Sequence, residues 1–495
     1  MLPAQTLQPA MQSPRRLLRG RARRRALRLT TLAWVFGSVW ATVIAGAPLT
    51  EFARGLGLSN FGFGVLAAIP FLATLLSIPA VLLTERTGAR KLIFLLSLYT
   101  QRLMWIPIAL VPIWMIHHGR AMSSAVSGAF LVLMFFMYAV GNIGGPAWTS
   151  WMADIVPDRS RGRYFSMRRQ VGILSGIPAA LLSGWLMDRN LRNGLGQAQL
   201  LNLCAMIFLW STVFGVADIH LFHYVADVPK APRRVKLLGA FSGPFKDRQF
   251  LWFAGFVATL VFAVSFMGQF VTLFLEEQVH ASNIGTQMIT LVAPMLAQLA
   301  VFSAWGVAAD RMGKKPVLAL AALGLVPVGL GWMAMTEHRV WLGYLLSALG
   351  GMLWAGVEIA NLNLVLELSS GDDGQEPDSS FIAVNSVIIN IAGCLGGMAS
   401  GWIAQGLAHM HWQPIAGIKA FNFYDVLFAL SGILRLLAVL VFLPQLREPK
   451  AHPAREVLRF MSANIYNNLF NAILQPLRMA RIAADGKAQN EKTPG

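Results

Sequence analysis

Two charged stretches, Glu85-Arg86-Thr87-Gly88-Ala89-Arg90-Lys91 and Asp310-Arg311-Met312-Gly313-Lys314-Lys315, each follow one apolar segment and immediately precede another. Arg86 and Arg311 are 225 residues apart (311 − 86), close to half the chain. A charged turn at matching places in two apolar halves points to a duplicated membrane protein.

Composition supports this class. Charged residues make up 13% of the 495 and hydrophobic ones 56%, where a soluble chain of ordinary makeup would be about 25% charged. Apolar stretches of about 18 residues or more recur along nearly the whole length, enough to cross a bilayer as helices. A large soluble core is therefore excluded, and the lack of period-two alternation excludes a β-barrel. The expected class is an all-α membrane protein with twelve spans, near 31–50, 61–83, 92–114, 124–148, 167–187, 200–224, 249–275, 284–308, 316–335, 340–367, 380–408 and 424–446.

Lys and Arg in short loops set the expected orientation. Eight Arg lie between Arg15 and Arg28; Arg86, Arg90 and Lys91 follow the second span, and Arg159, Arg161 and Arg163 the fourth. Lys230, Arg233, Arg234, Lys236, Lys246 and Arg248 sit at mid-chain, and Arg311, Lys314 and Lys315 follow the eighth span. The opposite loops are poor in base, so both termini are expected in the cytoplasm of a cell that carries the protein in its inner (plasma) membrane. Residues 369–379, with four acids and no base, break the pattern, but acids weigh little in this rule. The net charge of +18 needs no nucleic acid, because anionic lipid headgroups can meet it. The Ser13-Pro14-Arg15-Arg16 stretch resembles an export signal, yet the apolar segment after it is long for a signal core. A retained first helix is expected.

Cys204 and Cys394 both fall in apolar spans, so neither a disulfide framework nor a thiolate metal site is expected. Met and His show no compact ligand spacing, and phosphate loops, nucleophile elbows and zinc-protease motifs are absent. No metal, cofactor or enzymatic centre is expected.

The repeat extends further. Leu182-Ser183-Gly184-Trp185 ends the fifth span and Ala399-Ser400-Gly401-Trp402 the eleventh, an offset of 217 (401 − 184). The halves are residues 31–224 and 249–446. They are flanked by a basic tail 1–30, a Pro-rich linker 225–248 and a tail 447–495. In 454–482, Leu458, Met461, Ile465, Leu469, Ile473 and Leu477 recur at helical spacing among Arg. That pattern predicts an amphipathic helix on the membrane surface, with a partner-binding helix as the alternative.

Over about residues 30–446 the chain resembles the major facilitator superfamily, whose signature turn reads Gly-x-x-x-Asp-Arg-x-Gly-Arg/Lys-Lys. The second copy matches it through Gly306, Asp310, Arg311, Gly313, Lys314 and Lys315. The first departs, with Val81 for Gly and Glu85 for Asp. The resemblance implies two pseudo-symmetric six-helix bundles rocking around a central site by alternating access. It also implies a site lined by helices one, four, seven and ten.

A carboxylate is favoured at a helix N-terminus. Glu85 is expected to face Ser379 and Ser380, and Asp310 to face Arg168 and Arg169. Arg86 is expected to pair with Asp154, and Arg311 with Glu367. Together these would form a cytoplasmic latch. After the fourth span, Asp154 and Arg161 suit a structural ion pair.

Polar residues at helical spacing mark the expected cavity face. They are Ser265, Gln269, Thr272 and Glu276 on helix seven, and Trp354, Glu358 and Asn361 on helix ten. Trp34, Ser38 and Thr42 lie on helix one, Tyr138 and Asn142 with Thr149 on helix four, and Ser386 and Asn390 on helix eleven. A carboxylate inside a span is costly and functional by default. Glu358 is therefore the first candidate for proton coupling or substrate binding, with Asn361 one turn away. Arg102 and Arg435, also deep in spans, could bind an anionic substrate, but the resemblance implies that helices three and twelve are peripheral supports, so each is expected to pair with an acid or with helix carbonyls.

The expected function is secondary active transport of a small, amphipathic or weakly charged organic solute, coupled to protons, by a monomer. Drug-type efflux is one alternative. A transport-inactive scaffold or sensor is another, from a different class.

Overall fold

The computed structural model describes residues 20–119, 124–157, 160–194, 196–228, 243–370, 379–412, 420–448 and 452–462. Among them the secondary structure is helical, apart from one isolated bridge between Trp412 and Phe421. Twelve helices are long and apolar enough to cross a membrane. Spans 1 to 6 are Gly20–Val43, Asn60–Thr87, Arg90–His117, Ser124–Ile155, Tyr164–Arg192 and Ala198–Tyr224. Spans 7 to 12 are Arg248–Glu277, Asn283–Met312, Lys314–Ala334, Glu337–Ser369, Ser380–Gly406 and Phe423–Gln445. Large apolar side chains such as Leu92, Leu96, Trp210 and Trp402 point outward. In water this would be an aggregation surface, whereas in a bilayer it meets acyl chains. The chain is an integral multi-pass membrane protein.

The first span differs from expectation. It begins eleven residues earlier (31 − 20), because Arg is a good helix former and the basic run continues the helix. It also ends earlier, at Val43. Gly46 takes a left-handed φ of 67° and starts a separate short helix, Ala47–Gly55, with Pro48 in its first turn. The sequence 454–482 is described only to 462. There Val457 and Met461 bury against the core of the second bundle, while Leu458 stays exposed. Residues 463–482 lie outside the described residues, as does the basic tail before Gly20.

The spans form two six-helix bundles. Span 1 packs on spans 5 and 6, and span 3 on span 4; correspondingly span 7 packs on span 11, and span 9 on span 10. Between the bundles, span 2 packs on span 11 and span 5 on span 8. The end bearing Gly20 and both charged turns is called the terminal end below, and the opposite one the far end.

The two charged turns fasten each bundle to itself. Lys91 Nζ donates to the Val225 carbonyl at 2.7 Å, and Lys315 Nζ to the Leu446 carbonyl at 2.6 Å. Each lysine thus caps the C-terminal end of the last span in its own half. Arg90, rather than the expected Arg86, holds Asp154 at 2.7 Å and also donates to the Ser150 and Val228 carbonyls. Likewise Lys314, not Arg311, holds Glu367 at 2.6 Å. Arg161 donates to the Ala153 carbonyl.

Candidate functional site

The far end is closed by two contacts that repeat the same chemistry. Span 2 opens with Ser59-Asn60-Phe61-Gly62, and span 8 with Ser282-Asn283-Ile284-Gly285, an offset of 223 (282 − 59). Ser59 and Ser282 are the N-caps, each accepting from the glycine N–H three residues on, at 3.1 Å. Against these helix starts lie the Ser-Gly-Trp ends of spans 11 and 5. A Cβ on Gly401 would lie 2.7 Å from the Gly64 Cα, and one on Gly184 2.7 Å from the Ile284 Cα. The backbones therefore touch, and only glycine permits it.

Four residues past each of those glycines, a side chain caps the opposing helix. Asp188 Oδ1 accepts from the Asn283 N–H at 2.7 Å, and its Oδ2 from the Ile284 N–H at 3.0 Å. The matching residue, Gln405 (405 − 188 = 217), accepts from the Phe61 N–H through Oε1 at 3.4 Å. Asp188 is thus a charged acceptor on the positive end of span 8. Asp188→Asn removes the charge and keeps the shape. It is expected to weaken far-end closure by about 1 kcal/mol, roughly fivefold in population. Spin-label distances between Asn193 and His338, in a background lacking Cys204 and Cys394, report this shift.

Beside these contacts, Arg54 lies 3.5 Å from Glu51 and 3.6 Å from Glu277, and the Tyr424 hydroxyl donates to Glu277 at 2.6 Å. Burial holds the Glu51 carboxyl above its ordinary range; Arg54 opposes the shift and Glu277 adds to it. A carboxyl whose pKa rises on closure favours the closed form fully below its solvated pKa and loses that contribution as pH rises through the raised value. Acidifying the far-side solution from neutral is therefore expected to lengthen the lifetime of far-end closure. The same labels, read across a pH series, check the sign, and Glu51→Gln should flatten the response.

Between the bundles lies a cavity of 560 Å³. Span 7 reaches it as a broken helix: residues 248–265 are helical, 266–269 form a turn, and helix resumes at 270. Span 8 passes it through a π-turn, Met288–Val292, followed by Pro294. Irregular backbone at membrane depth is tolerated where it lines a cavity, and π-turns favour functional sites. Ser265, Gln269, Thr272 and Trp354 line the cavity as their spacing predicts, joined by Gln298, Trp332 and Arg435.

Glu358 meets Arg169, across the bundle interface, at 3.8 Å. The guanidinium also donates to Gln298 Oε1 at 2.7 Å and lies over the Phe302 ring. The two side chains are 43% and 45% exposed. Arg169 was expected to face Asp310, and Arg168 likewise. Instead Arg168 stacks between Trp34 and Trp148, at 4.4 and 4.9 Å from the ring centres. Asn361 Oδ1 is buried without a hydrogen-bond partner among the described residues.

Other predicted residues stand apart from the cavity. Asn142 bonds to the Tyr138 carbonyl and Asn390 to the Ser386 carbonyl, each within its own helix. Tyr138 packs against an apolar core shared by both bundles. Ser38 joins Ser175 at 2.7 Å, tying span 1 to span 5. Glu276, the last member of the helix-seven stripe, is buried outside the cavity lining. Arg102 finds an acid, Asp218 on span 6, at 3.0 Å, and lies 3.5 Å from the Trp40 ring centre. Arg435 finds the Leu325 carbonyl at 2.8 Å.

The Major Facilitator Superfamily profile matches residues 29–397, more than half the chain. No curated protein matches the sequence directly. Among solved structures, an inward-facing, unoccupied bacterial homologue of the human lysosomal transporter Spinster is similar at 15% identity. The match covers 91% of this chain and 99% of that one, with a TM-score of 0.59. The nucleoside transporter NupG is similar at 12% identity over 87% of this chain and 100% of its own, with a TM-score of 0.62. The fucose:proton symporter FucP of E. coli is similar at 15% identity over 86% and 98%, with a TM-score of 0.50. At such identities the likeness concerns the fold, and together with the sequence profile it places the chain in the major facilitator superfamily.

Proposed function

We propose that this protein is a secondary active transporter that moves a small organic solute by alternating access, coupled to protons through Glu358. The single observation behind this reading is the Arg169–Glu358 pair, which joins the two bundles. Protonating Glu358 removes the ion pair. Losing it frees the bundles to rock and frees Arg169. The proton symport named for FucP is in keeping with such coupling.

The basic tail and charged turns at the terminal end favour that end as cytoplasmic. The conformation is then inward-facing, closed outside by the paired helix-start contacts. In this conformation Asp310 and Arg311 form no ion pair among the described residues. The cytoplasmic latch of Glu85, Arg86, Asp310 and Arg311 belongs, in this proposal, to the opposite conformation. Asp154 and Glu367 hold the turns from which it forms.

Purified protein in proteoliposomes, exposed to a solute library and read with an internal pH dye, tests the proposal. Solute-dependent proton movement is expected. Binding of solutes with no flux of either species would favour a scaffold or sensor instead. Proton movement opposite in direction to the solute would favour drug-type efflux.

A further inference from the structure

Arg435 is the one large feature of the cavity that coupling through Glu358 leaves unused. It sits on span 12, 3% exposed, and lines the same cavity as Gln269 and Trp354. Nη1 donates to the Leu325 carbonyl at 2.8 Å, Nη2 points at the Met267 sulfur at 2.9 Å, and Nε has no acceptor. Among the described residues no carboxylate comes within ion-pair distance of it.

The other half of the molecule makes the contrast plain. There spans 3 and 6, the counterparts of 9 and 12, are joined by Arg102 and Asp218, a balanced pair. In the second half an arginine, Arg435, stands where the acid stands in the first (435 − 218 = 217), and span 9 meets it with a backbone carbonyl rather than a charged partner. Tying span 12 to one carbonyl of span 9 needs a single N–H and no charge. A guanidinium has five donors and a permanent charge, and a thioether is a weak acceptor that a better one displaces. Gly329 leaves the room this head needs, since a Cβ there would lie 2.9 Å from Nη1. The break in span 7 at Met267 lies beside it.

From this we infer that the cavity takes an amphipathic organic monoanion, its acid head on Arg435 and its apolar body along Phe71, Leu291, Val328 and Trp332. The inference rests on the transport reading and names its substrate class. One head is expected rather than several, because Arg435 is the one charged side chain among the described residues that line the cavity. The cavity volume falls in the range of about 300–1,000 Å³ common for small-molecule sites.

The test compares acids with their neutral amides, 2-naphthoate against 2-naphthamide and octanoate against octanamide, by calorimetry on the purified full chain. At least one acid is expected to bind about 10-fold tighter than its amide. The preference should vanish in Arg435→Gln and survive in Arg435→Lys. Equal affinities in the unaltered protein, or no binding by either acid, overturn the inference, and this arm does not depend on whether Arg435→Gln folds. A preference unchanged in folded Arg435→Gln also overturns it. A neutral solute that drives protons in proteoliposomes would leave the transport proposal standing and remove the anion alone.

Discussion

Replacing Gly401 by leucine is expected to stop the far end from closing and to lower transport on the order of 100-fold, a penalty of about 3 kcal/mol against the closed form. The reason is backbone contact. Gly401 faces the Gly64 Cα and the Phe61 carbonyl, and Gly64 in turn faces the Gly397 carbonyl. A flexible side chain can move aside, but two helix backbones cannot do so without parting the bundles. Gly64→Leu should do the same from the other side. Gly406→Leu, one turn on and facing open space, should leave transport near normal and serves as the control. The Asn193–His338 distance should lengthen in the first two variants only.

Asp218→Ala is expected to destabilise the fold by about 3–5 kcal/mol, because it strands the buried Arg102 charge. Both partners of that pair are buried, at 6% and 5% side-chain exposure. Gly37 and Gly215 are shaped around them: a Cβ on Gly37 would meet the Asp218 carboxylate, and one on Gly215 the Arg102 side chain. The Trp40 ring supplies a cation–π contact but no counter-charge. Arg102→Ala should cost a similar amount, and the double variant should recover part of the loss, since no lone charge remains buried. Urea unfolding in micelles measures the series.

Span existence was legible in the sequence because hydropathy is local: each stretch carries its own signal whatever it packs against. The start of span 1 was not, because the arginines of 21–28 are polar yet helical. The Ser-Gly-Trp repeat was legible as duplication. Its task, pressing on the Ser-Asn-x-Gly start of the other half, depends on which helices meet. The partner repeats too, at an offset of 223 (282 − 59) against 217 (401 − 184) for Ser-Gly-Trp. Pairing choices failed across the charged turn, Arg90 in place of Arg86: Arg86 ends one helix and Arg90 starts the next, and only the packed geometry decides which of them reaches Asp154. Asp218 is an acid alone in an apolar span and was open to notice by the same rule that singled out Glu358. Of the polar stripes, Ser265, Gln269 and Thr272 of helix seven line the cavity, whereas Ser38, Asn142 and Asn390 make helix contacts that look identical in sequence.

The most direct measurement compares Glu358→Gln with the unaltered protein in proteoliposomes, following solute exchange and pH-driven accumulation side by side. If Glu358 carries the coupling proton, the variant should still exchange solute across the membrane at equal concentrations but should no longer accumulate it in response to a pH gradient. Accumulation by Glu358→Gln equal to that of the unaltered protein, with the same number of protons per solute, would contradict the proposed mechanism.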